Sequence, residues 1–462
     1  MKKVFCIIFI MLLSITLIAC SNAKEEVHVH TFAEVWSYND DYHYYKSSCG
    51  HDVYKDLEEH SFTSYILDEK TDKYYRTCTV CGFKQEKSED SNVNVILEYD
   101  ENFHYYVNID TLEKFDLEEH KFSEYVVVKE ASPDKEGVKV KKCEICGYEE
   151  EEMIEKLEIK KIPKLEKGDT IALIAPASPS SSDSTYLSAK AKLESYGYKV
   201  KVYPSVTNGK NYSVSYLALS DEARAEEINS AFKDKEVKGI ICLRGGYGSS
   251  RTLELLDYDV IRENPKFFTG YSDITALINA FYYKSGIISY QGFMGLTLAK
   301  SSLDSTTKTD VEELLLNNNA TREFKYGKYI SKCQDTVRGT LIGGNLSLFV
   351  HLLGSEYLPD CKDKIIFLED TGEATYSVDR MMTKLRLFNV FRECKGVVLG
   401  YFTSDSDKVA IETMLKRELK DLDIPVLYGF PSGHEYPFIS LPIGAEVELS
   451  PSGLKVIGEV FE

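Results

Sequence analysis

After residue 20 of this 462-residue chain no apolar run approaches the roughly 20 residues that a membrane-crossing helix needs, which excludes a bundle of membrane-crossing helices there. Dense Lys/Arg stretches interleaved with aromatics are missing as well, and the formal net charge is -19. A polyanion would be repelled from such a surface, so nucleic acid is excluded as a partner. The glycine-rich stretch Arg244-Gly245-Gly246-Tyr247-Gly248 lacks the Lys-Ser/Thr pair of a phosphate-binding P-loop. At this length the chain exceeds one ordinary core, and two or more domains are expected.

What is present begins with Met1-Lys2-Lys3 and the apolar run Val4 to Ile18, the charged start and greasy centre of a secretory signal, too short for a comfortable membrane span. It ends in Leu17-Ile18-Ala19-Cys20, which resembles the bacterial lipobox. That resemblance implies a signal peptide over residues 1–20, a diacylglycerol on Cys20, and an extracytoplasmic protein held to the membrane by acyl chains, two of which suffice for stable anchoring. A plain signal peptide with an incidental cysteine is the alternative.

Residues 21–150 are rich in Tyr, Glu and Lys and hold seven of the nine histidines. His30-Thr31-Phe32, His60-Ser61-Phe62 and His120-Lys121-Phe122 each open a unit of a weak repeat, and the last two run on to Cys78-x-x-Cys81-Gly82 and Cys143-x-x-Cys146-Gly147. Two cysteines two residues apart and followed by glycine point both sulfurs at one tetrahedral ion. His60, Cys78, Cys81, His120, Cys143 and Cys146 are therefore candidate ligands of a structural zinc. In an oxidising compartment each pair could instead be a disulfide, and a fourth ligand is ambiguous: His30, His43, Cys49 and His51 are candidates in the first unit, and His104 would have to complete His60, Cys78 and Cys81. Either way these short units need a staple, because so few apolar residues cannot build a core. The segment reads as a stalk or wall-binding module resembling the small Cys/His repeats of bacterial surface proteins, with residues 151–167, at the end of a stretch dense in Glu and Lys, as linker.

From Gly168 onward strands and helices alternate. Thr170 to Ala175, Lys199 to Tyr203, Gly239 to Leu243 and Lys266 to Gly270 read as strands, with helical spacing over Tyr186 to Ser195 and Ile274 to Tyr283 and a capped helix start at Ser220-Asp221-Glu222. This pattern predicts a parallel sheet with working loops at the strand C-terminal ends. Arg244 to Gly248 suits an oxyanion loop, because glycines let a backbone N–H approach a developing alkoxide. Ser272 follows Gly270 at a strand-to-helix turn. Alone such a serine means little, and the glycine that the hydrolase elbow carries two residues later is absent. Further on, apolar runs lead into Phe367-Leu368-Glu369-Asp370 and Gly433-His434-Glu435. A serine becomes a nucleophile when an imidazole takes its proton and a carboxylate orients that imidazole, roles that Ser272, His434 and Glu369 could fill.

In order, Arg244-Gly245-Gly246-Tyr247-Gly248, Gly270-Tyr271-Ser272-Asp273-Ile274-Thr275, Gly339-Thr340-Leu341-Ile342-Gly343-Gly344-Asn345, Leu368-Glu369-Asp370 with Asp379-Arg380-Met381, and Gly433-His434 with Leu441-Pro442-Ile443-Gly444 resemble the LD-carboxypeptidase family of serine peptidases, over about Leu165 to Phe461. That family includes muramoyltetrapeptide carboxypeptidases and microcin C immunity peptidases. The resemblance implies a Rossmann-like α/β domain over 168–295 and a smaller β-rich domain over 296–462, preceded by the Cys/His units. It implies Ser272 as nucleophile, His434 as general base, Glu369 as the orienting carboxylate with Glu373 as rival, and the N–H groups of Gly246 and Asp273 as oxyanion hole. The implied reaction releases a terminal D-amino acid from peptidoglycan tetrapeptides without a catalytic cofactor. Rival readings are hydrolysis of peptidyl-nucleotide antibiotics and a non-catalytic wall-peptide-binding lipoprotein. Expected partners are stem peptides and, through the anchor, the membrane; a homodimer is left open. Phe293 stands where members commonly show proline, in a loop expected near the substrate. His351, in an apolar helix, is read as a core histidine, and Cys242, Cys333, Cys361 and Cys394 as buried thiols.

Overall fold

Short Tyr-rich strands and long apolar strands build two different kinds of architecture in this chain. The computed structural model describes residues 29–49, 51, 53–68, 70–71, 73–86, 95–109, 111–404 and 407–462, so that Cys20 and the signal segment lie outside the described residues. Two compact units result, one ending at His120 and the other spanning Lys121–Glu462. Among the described residues no helix is long and apolar enough to cross a membrane.

Among the described residues the first unit holds three antiparallel three-stranded sheets: Ser37–Tyr38, Tyr42–Lys46 and Tyr54–Glu59; Ile66–Asp68, Lys73–Thr77 and Lys84–Glu86; Val95–Tyr99, Phe103–Asn108 and Lys114–Glu119. The strands Tyr54–Glu59 and Lys114–Glu119 are exposed along their whole length. Its buried positions are few and partly polar, including His43, Cys78, His104, Tyr105 and Val107. Sheets this small do not hold themselves together by apolar burial.

The second unit opens with a fourth small sheet, Val126–Lys129, Gly137–Lys142 and Glu149–Ile154. Residues 151–167, expected as a linker, are tied down. Their first four residues complete that last strand, Lys160 and Ile162 bridge to Ile287 and Phe461, and Ile162 and Leu165 are buried. The charged residues between these apolar positions mask the anchoring when the stretch is read by composition.

A six-stranded sheet follows, in the order Lys199–Val202, Thr170–Ile174, Val237–Cys242, Phe267–Gly270, Ser289–Gln291 and Leu441–Ile443. The first five strands run parallel, and only the last is antiparallel. Val237–Cys242 and Phe267–Gly270 are almost wholly buried, as strands covered on both faces must be. Ser220 caps the helix Asp221–Lys233 by accepting the Ala223 N–H at 3.3 Å. A second sheet of eight strands has a parallel centre, Val337–Asn345, Ile365–Thr371, Gly396–Thr403 and Val426–Tyr428, flanked by antiparallel strands. The strands of both sheets deliver the working loops at their C-terminal ends, the usual place for sites in parallel sheets.

Three readings of single residues change. In the helix Leu346–Leu352, Leu346, Phe349, Val350 and Leu352 take the inward positions, so His351 is exposed rather than a core residue. Cys242, Cys361 and Cys394 are buried as expected, whereas Cys333 is half-buried in a loop; burial pushes the thiols of Cys361 and Cys394 up to about 12, which makes them poor nucleophiles. Phe293 is fully buried against Phe267, and its carbonyl accepts the Thr269 hydroxyl at 2.9 Å. Its ring therefore fills core volume and lines no open surface.

Candidate active site

Ser272 sits at the turn between the strand Phe267–Gly270 and the helix Thr275–Ser285, in a single turn of 3-10 helix over Ser272–Ile274. Its φ is 67°. A non-glycine residue in the left-handed region costs about 1–3 kcal/mol and persists where the surroundings enforce it. The strain turns the side chain out of the sheet, as at a nucleophile elbow, although the usual second glycine is missing.

Glu369 lies near the end of the buried strand Ile365–Thr371, and its side chain is wholly inaccessible. His434 lies in the loop after Val426–Tyr428, which is pinned by the Tyr401 N–H donating to the Ser432 carbonyl at 2.9 Å and by the Ile439 N–H donating to the Pro431 carbonyl at 2.8 Å. The long-range contacts close as the residue types require. His434 Nδ1 is 2.7 Å from Glu369 Oε2, and His434 Nε2 is 3.0 Å from Ser272 Oγ. A carboxylate can only accept, so the hydrogen sits on Nδ1, and Nε2 is left as the acceptor for the serine hydroxyl. This is the tautomer that a general base needs. Glu373, the rival carboxylate, is half-buried on the loop beyond the strand, and it is Glu369 that meets the imidazole.

Electrostatics reinforce the arrangement. Burial acts to lower the pKa of His434, but its hydrogen bond to Glu369 and the charge of Glu369 outweigh it, so the imidazole titrates above its ordinary value. Burial pushes Glu369 upward, and the bond and charge of His434 oppose that rise.

The glycine-rich loop lies where the nucleophile requires it. A Cβ on Gly245 would stand 2.8 Å from Ser272 Cβ and 3.1 Å from its Oγ, so only glycine permits this approach. Gly246 is exposed, whereas Asp273 is buried, with its carboxylate accepting the Ser249 N–H at 2.7 Å. The loop is anchored from below by Arg224, a fully buried guanidinium that donates to the Gly248 carbonyl at 2.7 Å and also to the Pro176 carbonyl, and that pairs with Asp221.

Sequence reasoning assigned no role to three residues that hold this set in place. Asn345 Nδ2 donates to Asp370 Oδ1 at 2.9 Å and lies 3.5 Å from Glu369 Oε1, while its own N–H is held by Thr275 Oγ1 at 2.8 Å. Asp370 also accepts the Ser347 N–H at 3.0 Å and the Ser347 hydroxyl at 2.7 Å. Tyr271 packs edge-on against the imidazole, with ring centroids 5.0 Å apart. Asn345 belongs to the Gly-Gly-Asn motif of the sequence, which was the available signal.

Gly433 yields a direct test. At φ 127° it carries no side chain, and a Cβ there would lie 2.7 Å from Glu369 Oε2 and 3.1 Å from Glu369 Cβ. In Gly433→Ala the carboxylate must move or the loop must refold locally. Because displacements of about 1 Å in such sets cost roughly 100-fold in rate, turnover is expected to fall by about that factor while circular dichroism stays native. Unchanged turnover in the folded variant would mean that Glu369 need not hold its position.

Of the candidate metal ligands, the structure gathers His60, Cys78 and Cys81, with His43 and not His104 as the fourth residue. Cys49 Sγ meets His30 Nδ1 at 3.1 Å and His51 Nδ1 at 3.5 Å, without His43. His120 ends the first unit with Nε2 2.8 Å from the Asp100 carbonyl. Cys143 and Cys146 lie in the second unit, where the Gly147 N–H closes the turn onto the Cys143 carbonyl at 3.0 Å.

Comparison with known proteins matches residues 171–292 to the LD-carboxypeptidase N-terminal domain and residues 338–449 to the LD-carboxypeptidase C-terminal domain. The first interval contains Ser272, the second Glu369 and His434. A Bacillus subtilis (strain 168) protein named "Probable murein peptide carboxypeptidase" is 33% identical over 297 residues, covering 62% of this chain and 90% of its own length. The Escherichia coli "Microcin C7 self-immunity protein MccF" is 27% identical over 315 residues, covering 61% and 90%. Among solved structures, that of a muramoyltetrapeptide carboxypeptidase from Oxalobacter formigenes superimposes with a TM-score of 0.55 at 31% identity, covering 62% of this chain and 97% of that one.

Proposed function

The chain belongs to the LD-carboxypeptidase family, and we propose that it is a serine-type LD-carboxypeptidase that releases the terminal D-amino acid, D-alanine, from peptidoglycan tetrapeptides at the cell surface. The observation that carries this reading is the unbroken hydrogen-bonded chain from Ser272 through His434 to Glu369, at a strained turn faced by a glycine loop.

Ser272 Oγ attacks the carbonyl carbon of the L-centre that precedes the terminal D-residue, and its proton passes to His434 Nε2. The carbonyl π pair moves to oxygen, where the N–H groups of Gly246 and Asp273 receive the charge; one such donor is typically worth about 3 kcal/mol. Collapse breaks the C–N bond, and the proton on Nε2 leaves with the D-amino acid. Water, deprotonated by the same imidazole, then cleaves the serine ester, and the proton returns to Ser272 Oγ. Glu369 accepts from Nδ1 throughout and stabilises the imidazolium.

The likeness to MccF favours a second reading, hydrolysis of a peptidyl-nucleotide antibiotic on the same residues. The short connection between Glu369 and the helix Thr375–Leu387 supports cell-wall peptides over it. Incubating the purified protein separately with muropeptides and with a peptidyl-nucleotide, and following products by mass, tests both. Tetrapeptide-to-tripeptide conversion is expected. Turnover of the peptidyl-nucleotide alone would replace the first reading by the second, and turnover of neither would leave a wall-peptide-binding protein.

The surface location rests on Leu17-Ile18-Ala19-Cys20, which lies outside the described residues. Because the Cys20 thiol is the acyl acceptor, Cys20→Ala is expected to shift the protein from the salt-washed membrane fraction to the soluble one. Retention of that variant on membranes rules the anchor out.

A further inference from the structure

The first unit contains a cluster that the proposed reaction does not use. The ligand atoms of His43, His60, Cys78 and Cys81 all lie within 4.8 Å of one another. Cys78 Sγ is 3.9 Å from His43 Nδ1, and Cys81 Sγ is 3.4 Å from His60 Nδ1. With Zn–S bonds of about 2.3 Å and Zn–N bonds of about 2.0–2.1 Å, the edges of a tetrahedron come to roughly 3.4–3.8 Å. The four atoms therefore already stand close to the spacing that one such ion imposes.

The surroundings orient the donors. His60 Nε2 is 2.8 Å from the Asn39 carbonyl, an acceptor that fixes the hydrogen on Nε2 and leaves the Nδ1 lone pair directed at the sulfurs. His43 is 1% exposed, and its Nε2 has no hydrogen-bond partner among the described residues; the Glu58 carboxylate lies 3.9 Å away, a place from which it can take the Nε2 hydrogen once Nδ1 is bound. On the cysteine side, the Gly82 N–H donates to the Cys78 carbonyl at 3.0 Å and the Phe83 N–H to Cys81 Sγ at 3.4 Å. Cys78 and Cys81 are not joined by a disulfide.

We propose that His43 Nδ1, His60 Nδ1, Cys78 Sγ and Cys81 Sγ form a closed, tetrahedral structural zinc site that staples the sheet of residues 37–59 to the sheet of residues 66–86. Two thiolates and two imidazoles select zinc over calcium or magnesium, and four protein ligands leave no open position for catalysis. The histidines come from the middle strand and the end of one sheet and the cysteines from the turn after the middle strand of the next, so the ion crosslinks consecutive modules rather than closing either one. It supplies the cohesion that these exposed strands cannot draw from apolar burial.

The test uses the full chain carrying Cys49→Ser, Cys143→Ser and Cys146→Ser, so that Cys78 and Cys81 are the remaining cysteines of the repeat region. Cobalt titration is expected to give the visible bands of a tetrahedral thiolate site at one ion per chain, and zinc should displace them. His43→Ala should weaken cobalt binding by more than about 100-fold, since even changes in supporting residues cost 10–100-fold, whereas His104→Ala should leave it unchanged. Glu58→Gln, at an exposed carboxylate, should weaken it about tenfold and provides the readout if His43→Ala does not fold. A folded, metal-free parent whose mass is lower by two hydrogens at Cys78 and Cys81 overturns the proposal. So does parent-like cobalt affinity in His43→Ala, or a loss of binding in His104→Ala.

Discussion

Ser272→Ala is expected to lower the release of D-alanine from muropeptide tetrapeptides by about four to six orders of magnitude. The size follows from the geometry. Ser272 Oγ stands 3.0 Å from His434 Nε2, which stands in turn on Glu369, so removing the hydroxyl removes the atom that becomes acylated and strands a base with nothing to deprotonate. Members of such a set act as a unit. His434→Ala should cost a similar factor, and the double variant should be little worse than either single one. The fold should survive, because alanine meets the same left-handed backbone at position 272 as serine and removes only one hydroxyl from a half-buried site. The measurement is product formation by mass, beside a thermal melt of each variant. Near-normal D-alanine release by Ser272→Ala would sink the assignment of the nucleophile, and losses that add across the double variant would sink the idea of one concerted set.

The three residues of this set were legible in the sequence because each follows a run of apolar residues that reads as a covered strand, although His434 lies in the loop beyond Val426–Tyr428 rather than at the strand end. A polar group at such a strand end is delivered to the working edge of a parallel sheet. The glycine loop was legible for a related reason: Gly245 must approach Ser272 without a side chain. What holds the set was not legible. Asn345, Asp370 and Thr275 meet through bonds between distant parts of the chain, and the full burial of Arg224 under the glycine loop has no local periodic signature. His351 was misread because seven residues of helix sample too little of the pattern to decide which side faces in. His43, rather than His104, joins His60, Cys78 and Cys81, which a repeat that begins at each His-x-Phe hides because it assigns His43 to the preceding unit. The better signal was the run Asp56-Leu57-Glu58-Glu59-His60, which returns as Asp116-Leu117-Glu118-Glu119-His120. With one residue skipped between strands it sets His43 beside His104 as the residue paired across its own sheet with the first Glu of that run, His43 with Glu58 and His104 with Glu118, at 3.9 Å and 3.7 Å.

Glu369→Gln should lower turnover by about 10⁴-fold and also move the pH profile, which a merely structural role would not do. A glutamine in the same volume can present an N–H to Nδ1 and so favour the imidazole tautomer with its hydrogen on Nε2, which cannot accept from Ser272; an acid-to-amide change of this kind in a serine triad costs about that factor. The sign of the pH effect follows from what sets the titration of His434. Burial lowers its pKa, and the hydrogen bond and charge of Glu369 raise it by more, so that the net shift is upward. His434 works as a base only when neutral, so kcat/KM of the parent should rise with pH through a value above the ordinary histidine pKa of about 6.5. Glu369→Gln removes the charge and leaves the burial, and the acidic limb of its residual activity should therefore shift to lower pH. Glu373→Ala should change neither rate nor profile, since that side chain does not meet the imidazole. An acidic limb that stays in place in Glu369→Gln, or a large loss in Glu373→Ala with Glu369→Gln silent, would transfer the orienting role to the other carboxylate.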